Sequence, residues 1–253
     1  MKPTFLTYDK PLLTAIIHSE TPEGCIEKIR HSLEGGAEAI GIQLNRLREE
    51  YLNAETLTKI FAACEGKPIY AISYRKGPDH KRTEEECVEL MMLALRCGAT
   101  LCDVMGDLFC PDAGGITYDP EAVAKQTALI EEIHRLGGEA LISVHTKRSV
   151  SLEENMRLAA AEEVGGADVI KIVDEAESPD EVPAYLEFIR AFTRKSNKKL
   201  LFLCSGKGEI IRYIGPSLGV CMYLCVYEHG PLDTKAQPLL SRIKAVRDNL
   251  LWE

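Results

Sequence analysis

The chain has 253 residues, 45% hydrophobic and 27% charged, a globular composition with enough length for one large core. Its net charge of -9 argues against bulk attraction to nucleic acid or an anionic membrane, and no apolar run is long enough to cross a bilayer. Residues 1–9 lack the apolar stretch of a signal peptide, which predicts a cytoplasmic protein. The nine cysteines are odd in number and include no Cys-x-x-Cys pair, so they read as small buried residues in a reducing compartment. Their spacing gives no metal site.

Strand-like and helix-like patterns alternate along the chain. The first strand is Leu12 to His18, followed by a helix whose start is marked by Thr21-Pro22-Glu23. The second strand is Ala39 to Leu44, with a helix from about Ala54 to Cys64. The third is Pro68 to Tyr74, and its helix runs from about Thr83 to Cys97, where Thr83 and Glu86 have capping-box spacing. The fourth is Leu101 to Met105, with a helix from Pro120 to Leu136 that Gly137-Gly138 stop. The fifth is Ala140 to His145, with a helix from Ser151 to Gly165. The sixth is Val169 to Val173, with a helix from Ser178 to Arg194. The seventh is Lys199 to Cys204, followed by a short helix after Gly208. The eighth is Val220 to Tyr227, and a last helix covers Leu239 to Leu250.

Eight strands, each followed by a helix, match the count and length of an α/β fold of the (β/α)8 TIM-barrel type; a doubly wound sheet usually has fewer strands. No linker or low-complexity segment divides the sequence, so residues 1–253 are expected to form a single (β/α)8 barrel domain. Sites in such barrels lie where strands end and βα loops begin.

Lys171 stands in the middle of an apolar run, Asp168-Val169-Ile170-Lys171-Ile172-Val173-Asp174. An ammonium buried alone there tends to lose its proton near neutral pH, and the free amine can form a Schiff base with a ketone or aldehyde. The alternatives are a lysine at an exposed strand end or one paired with an acid. His145 ends the preceding strand, where packing rarely needs histidine, and reads as an acid–base group. His18 ends the first strand and is a weaker candidate of the same kind. Arg75 follows the third strand and is placed to hold a hydroxyl or carboxylate; Lys81 and Arg82, further along that loop, read as solvated charges. Ser205-Gly206-Lys207-Gly208 leads toward Arg212. Such glycines can cradle an anion, and an arginine can clamp a carboxylate with two hydrogen bonds. The loop from Glu228 to Pro238 is polar and placed to cover the pocket mouth.

In this order the residues resemble the type I 3-dehydroquinate dehydratase family, across nearly the whole chain as strand order and closely at a few points. The family's third-strand T-F-R pattern is matched by Ser73-Tyr74-Arg75, and its S-N-H by Ser143-Val144-His145. Its K-I-A-like sixth strand is matched by Lys171-Ile172-Val173. Gly206, Gly208 and Arg212 echo its seventh-strand loop, with one residue missing, and Gln237 survives from its final S-A-P-G-Q. The resemblance implies Lys171 as the imine-forming lysine and His145 as the proton carrier, with Arg212 and Gln237 on the substrate carboxylate and Arg75 near its hydroxyls. It also implies a homodimer, a small-molecule keto-acid substrate, and no cofactor, metal, nucleic-acid or membrane partner.

The departures are concentrated on one side. The family's second strand reads E-x-R-x-D, whereas Gly41 and Gln43 stand at the glutamate and arginine positions. Gln43 is the remaining polar candidate there for contact with substrate. The glutamate that orients the family's histidine falls at Asp79, and the fourth-strand D-x-E becomes Asp103-Val104-Met105. The expected activity is therefore that of a Schiff-base hydro-lyase acting on 3-dehydroquinate or a related keto acid, weak on 3-dehydroquinate itself. The rival readings are a class I aldolase acting on a sugar phosphate, with phosphate on Gly206 to Gly208, and a noncatalytic carboxylate-binding barrel.

Overall fold

The alternation becomes eight parallel strands and eight α-helices in the computed structural model, which describes residues 3–8 and 10–250. Within the N-terminal stretch read above, Met1, Lys2 and Asp9 lie outside the described residues. In chain order the elements are β1 (Leu12–Ile17), α1 (Pro22–Glu34), β2 (Ala39–Gln43), α2 (Ala54–Ala62), β3 (Ile69–Ile72) and α3 (Glu84–Cys97). Then come β4 (Leu101–Met105), α4 (Pro120–Arg135), β5 (Glu139–His145), α5 (Leu152–Val164), β6 (Val169–Ala176) and α6 (Val182–Lys195). Last are β7 (Lys199–Gly206), α7 (Ile211–Ile214), β8 (Met222–Cys225) and α8 (Leu240–Asp248).

Each strand pairs with its predecessor from β1 to β7, and β8 pairs with β1. A parallel bridge between Leu200 and Val220 brings the two ends together, giving a nearly closed (β/α)8 barrel. The helices begin where the sequence places their caps. Thr21 accepts the Gly24 N–H ahead of Pro22, and Thr83 and Glu86 form a reciprocal capping box.

Strand alternation sorts side chains into two layers. Leu12, Ile16, Ala39 and Tyr70 belong to one buried cluster. Leu13, Ala15, Ile17 and Ile40 belong to a second, together with Ile29 of α1 and Leu57 of α2. On the same logic Tyr70, Asp103, Ser143 and Lys171 occupy the interior of neighbouring strands, with Ser143 and Lys171 directly in register.

Three strand ends differ from the sequence reading in ways that shape the site. β3 ends at Ile72, so Tyr74 and Arg75 leave the ladder and enter the loop at the barrel mouth. β6 and β7 run further than expected and pair as far as Ala176 with Gly206. The β3–α3 loop is tied to the segment after β2. Asn45 donates to Lys76 O at 2.8 Å, the Glu49 N–H donates to Asp79 at 2.8 Å, and Arg82 meets Glu49 at 2.8 Å. Arg82 is therefore buried rather than solvated, which corrects the expectation for that residue.

Gly206 closes β7 with φ at +65°, and a Cβ there would lie 2.4 Å from Ala176 O. Both the backbone conformation and the contact oppose a side chain. Gly206→Ala should cost about 1–3 kcal/mol of stability, read as a lower urea midpoint; an unchanged midpoint would show that the β6–β7 junction yields without cost.

Candidate active site

Lys171 is placed inside the barrel by strand parity, and its side chain is 4% exposed. Its Nζ lies 2.9 Å from each of three oxygens: Asp103 Oδ2 on β4, Tyr70 Oη on β3, and Tyr74 Oη just beyond β3. An ammonium has three N–H groups, and each finds an acceptor here. Burial alone pulls the Lys171 ammonium down, but the Asp103 charge, the Tyr74 oxygen and both hydrogen bonds outweigh it. Lys171 is thus held above its ordinary range. The expectation of a proton-free amine in the resting protein is corrected, because the buried cation has a counter-ion.

Asp103 shows the matching effect. Burial pushes its carboxyl up, while the Lys171 charge and hydrogen bonds from Ser143, Tyr70 and Lys171 bring it below the usual range. Ser143 donates to Oδ1 at 2.5 Å, and Tyr70 makes a close hydrogen bond to Oδ2. Behind the cage, Glu162 of α5 accepts the Lys171 backbone N–H at 2.8 Å. Burial raises the Glu162 acid well above its ordinary value.

His145 ends β5 with Nε2 3.3 Å from Tyr74 Oη, the two rings meeting edge to face. Burial lowers the imidazole to about 3, helped by the positive charge of Lys171 and, to a smaller extent, of Lys147 and Arg212. His145 is therefore neutral at pH 7. Above these groups opens a cavity of about 320 Å³ lined by residues that include Tyr74, Arg75, Asp107, Ser143, His145 and Lys147.

The remaining candidates are placed unevenly. Arg75 lines the cavity but is clamped by Glu84 and Asp107, and its four hydrogen bonds to them leave one N–H free. Arg212 on α7 is buried, donates Nε to Cys204 O at 2.7 Å, and has no carboxylate partner among the described residues. Gln237 is buried in the loop after β8, and its Oε1 has no partner among the described residues. Gln43 ends β2, half-buried, and makes no side-chain hydrogen bond among the described residues. Asp79 is exposed and accepts the Glu49 N–H, so it serves the loop; the carboxylate facing the His145 region is Asp103, and the Asp79 assignment is corrected accordingly. His18 is buried with Nδ1 2.6 Å from Asp233, whose other oxygen takes the Gly230 N–H at 2.6 Å. That pair fastens the final loop to β1.

Asp103, Tyr70 and Tyr74 were not singled out from sequence. Asp103 carried the same signal as Lys171, a charge inside an apolar strand, and two such charges imply each other.

Among the described residues no cluster of histidine, cysteine or carboxylate side chains is suited to a metal ion, and no helix is long and apolar enough to cross a membrane. A family profile described as type I 3-dehydroquinase matches residues 13–248. The 3-dehydroquinate dehydratase of Geobacillus kaustophilus HTA426 superposes with a TM-score of 0.80 at 16% identity, covering 94% of this chain and 90% of that one. The type I enzyme of Clostridium difficile, solved with covalent modified comenic acid, gives 0.80 at 16% identity over 94% and 92%. That of Enterococcus faecalis gives 0.77 at 16% over 97% and 98%. At such identity the superpositions establish the fold. No curated protein sequence matches the chain significantly.

Asp103→Asn should leave a buried ammonium without its counter-ion and cost about 3–5 kcal/mol at pH 7. The Asp103 carboxyl is depressed in the folded state, so its contribution is present above the ordinary carboxylate range and fades as pH falls through its lowered value. Urea titrations at several pH values check both points: the gap between wild type and variant should shrink in acid, as Asp103 is protonated, and again in strong alkali, where the Lys171 charge is lost.

Proposed function

Because the chain belongs to the type I 3-dehydroquinase family, we propose that it eliminates water from 3-dehydroquinate or a related keto acid through an imine on Lys171. Its class, hydro-lyase, follows from that membership. The observation that carries the residue assignment is the line from Lys171 Nζ through Tyr74 Oη to a neutral His145 at the cavity wall. Nζ attacks the ketone, and the protonated imine acidifies the adjacent C–H by acting as an electron sink. His145 takes that proton on Nε2 and returns it to the departing hydroxyl, which leaves as water. General acid–base help of this kind typically contributes about 10²–10⁴-fold.

Arg212, a buried guanidinium without a carboxylate of its own, supports a substrate anion as its partner. Gln237 stands ready with it, and the free N–H of Arg75 suits a hydroxyl. On the β2 side Gly41 and Gln43 supply no charge. Two missing charge-assisted hydrogen bonds, at about 1.5–3 kcal/mol each, correspond to roughly 10²–10⁴-fold. The preferred substrate is therefore a keto acid altered at the hydroxyl positions. Neither a sugar-phosphate aldolase nor a noncatalytic binder is favoured. Family membership also supports a cytoplasmic homodimer of single barrel domains, which sedimentation at the mass of two chains would check.

Incubation with borohydride and a panel of keto acids that includes 3-dehydroquinate tests this reading. One of them should leave a stable adduct on Lys171, and Lys171→Ala should abolish both adduct and turnover. Labelling of another lysine would overturn the assignment, and efficient 3-dehydroquinate turnover, at about 10⁴ M⁻¹s⁻¹ or more in kcat/KM, would overturn the substrate preference.

The pH profile gives a second check. With the His145 imidazole lowered to about 3, the base form persists well below its ordinary range. The profile of kcat/KM reports the free enzyme, so it should show no histidine ionisation near the ordinary value of about 6.5. An acid limb centred there would contradict the buried, neutral imidazole.

A further inference from the structure

We propose that the Tyr74 hydroxyl is a further catalytic group, the proton shuttle of imine formation, serving nitrogen and oxygen at Lys171 while His145 serves carbon. The inference rests on the reading that Lys171 forms the imine. Converting an ammonium and a ketone into a protonated imine and water moves two protons from nitrogen to oxygen. The C–N bond forms as the carbonyl π pair moves to oxygen. The C–O bond then breaks, its electron pair leaves with water, and the nitrogen lone pair completes C=N. Net charge does not change.

Direct transfer across the intermediate carbinolamine closes a four-membered ring, far from the near-linear geometry that hydrogen bonds require. An interposed hydroxyl makes the ring six-membered. It takes a proton from nitrogen as it gives one to oxygen, and it stays neutral throughout. Tyr74 Oη meets that need: it accepts from Nζ at 2.9 Å, and Tyr74 stands between the lysine and the cavity that it lines together with His145. Tyr70 Oη is equally near Nζ and, like Tyr74 Oη at 2.9 Å, donates to Asp103, but it lies deeper on β3, fully buried and outside the cavity lining. The other neighbours are poor stores for a proton at neutral pH. Asp103 is held below the ordinary carboxylate range, and His145 is lowered to about 3. Exchange through a phenol needs neither to become protonated. The hydroxyl is also particular to this sequence, since Tyr74 occupies the phenylalanine position of the T-F-R pattern.

Rapid-quench borohydride capture with an accepted keto acid tests the shuttle. In Tyr74→Phe, folded at a somewhat lower thermal midpoint because one Lys171 N–H loses its acceptor, the rate of adduct formation on Lys171 should fall by about 10²-fold. Deuterium on the carbon that loses its proton should slow wild-type turnover but not the variant's, because imine formation becomes limiting. Capture as fast as wild type in the folded variant would overturn the shuttle. If the variant does not fold, the wild type still decides: its capture rate should drop in deuterated water, and no drop would overturn the proposal. Absence of any adduct in wild type would overturn the imine reading and the shuttle with it, which separates the two failures.

Discussion

A lysine cation cannot sit inside a barrel without a counter-ion, and the Lys171–Asp103 contact answers that constraint. The two side chains come from strands two apart in the sheet and are both almost fully buried. In a region of low polarity an unpaired charge is costly, whereas a pair with every remaining donor satisfied can persist. Tyr70, Tyr74 and Ser143 supply those remaining partners. Four neighbouring strands, β3 to β6, and the loop just beyond β3 are thus committed to a single charge pair. The resting protein holds Lys171 as a satisfied cation, and the proposed imine chemistry requires a free amine to be produced locally, next to the substrate.

His145 experiences the same burial with the opposite outcome. No carboxylate touches it, and the nearby charge of Lys171 is positive, so the imidazole stays neutral. One environment therefore moves two bases in opposite directions: the lysine is raised and held charged, and the histidine is lowered and held uncharged. Such divergence within one pocket marks the division of acid and base roles. Tyr74 links the two without a net charge of its own. Arg212 extends the pattern, because a cation stripped of solvent and lacking a carboxylate creates a demand for an anion that a substrate can meet.

The barrel was legible in the sequence because each element announced itself locally. Caps at Thr21 and Thr83 start helices, and apolar runs alternate with amphipathic ones. Lys171 and His145 were legible because charge and imidazole are anomalous at those strand positions. The partners of Lys171 were not, since pairing across β3, β4 and β6 depends on register that no local pattern encodes. Asp79 illustrates the converse error. The family resemblance put it at the position of the histidine-orienting glutamate, but the loop turns at Gly77 and fastens Asp79 and Arg82 to Glu49. Arg82 misled in the same way, because a charge within a polar loop reads as solvated until a long-range partner is known.

The uncharged second strand has a physical counterpart in this cage. A Cβ at Gly41 would lie 2.4 Å from Ile16 Cδ1 and 3.3 Å from the Tyr70 ring. Glycine at this position leaves the space into which the Tyr70 ring packs, and from there its hydroxyl reaches both Lys171 and Asp103. A glutamate at position 41 would crowd that ring and bring a further negative charge to the Tyr70 side of the cage. The loss of charge on β2 and the presence of a phenol on β3 are therefore two sides of one packing choice. It replaces the family's carboxylate with a phenol that secures the lysine, and under the proposed function it leaves discrimination to Arg212, Gln237 and the loops at the mouth.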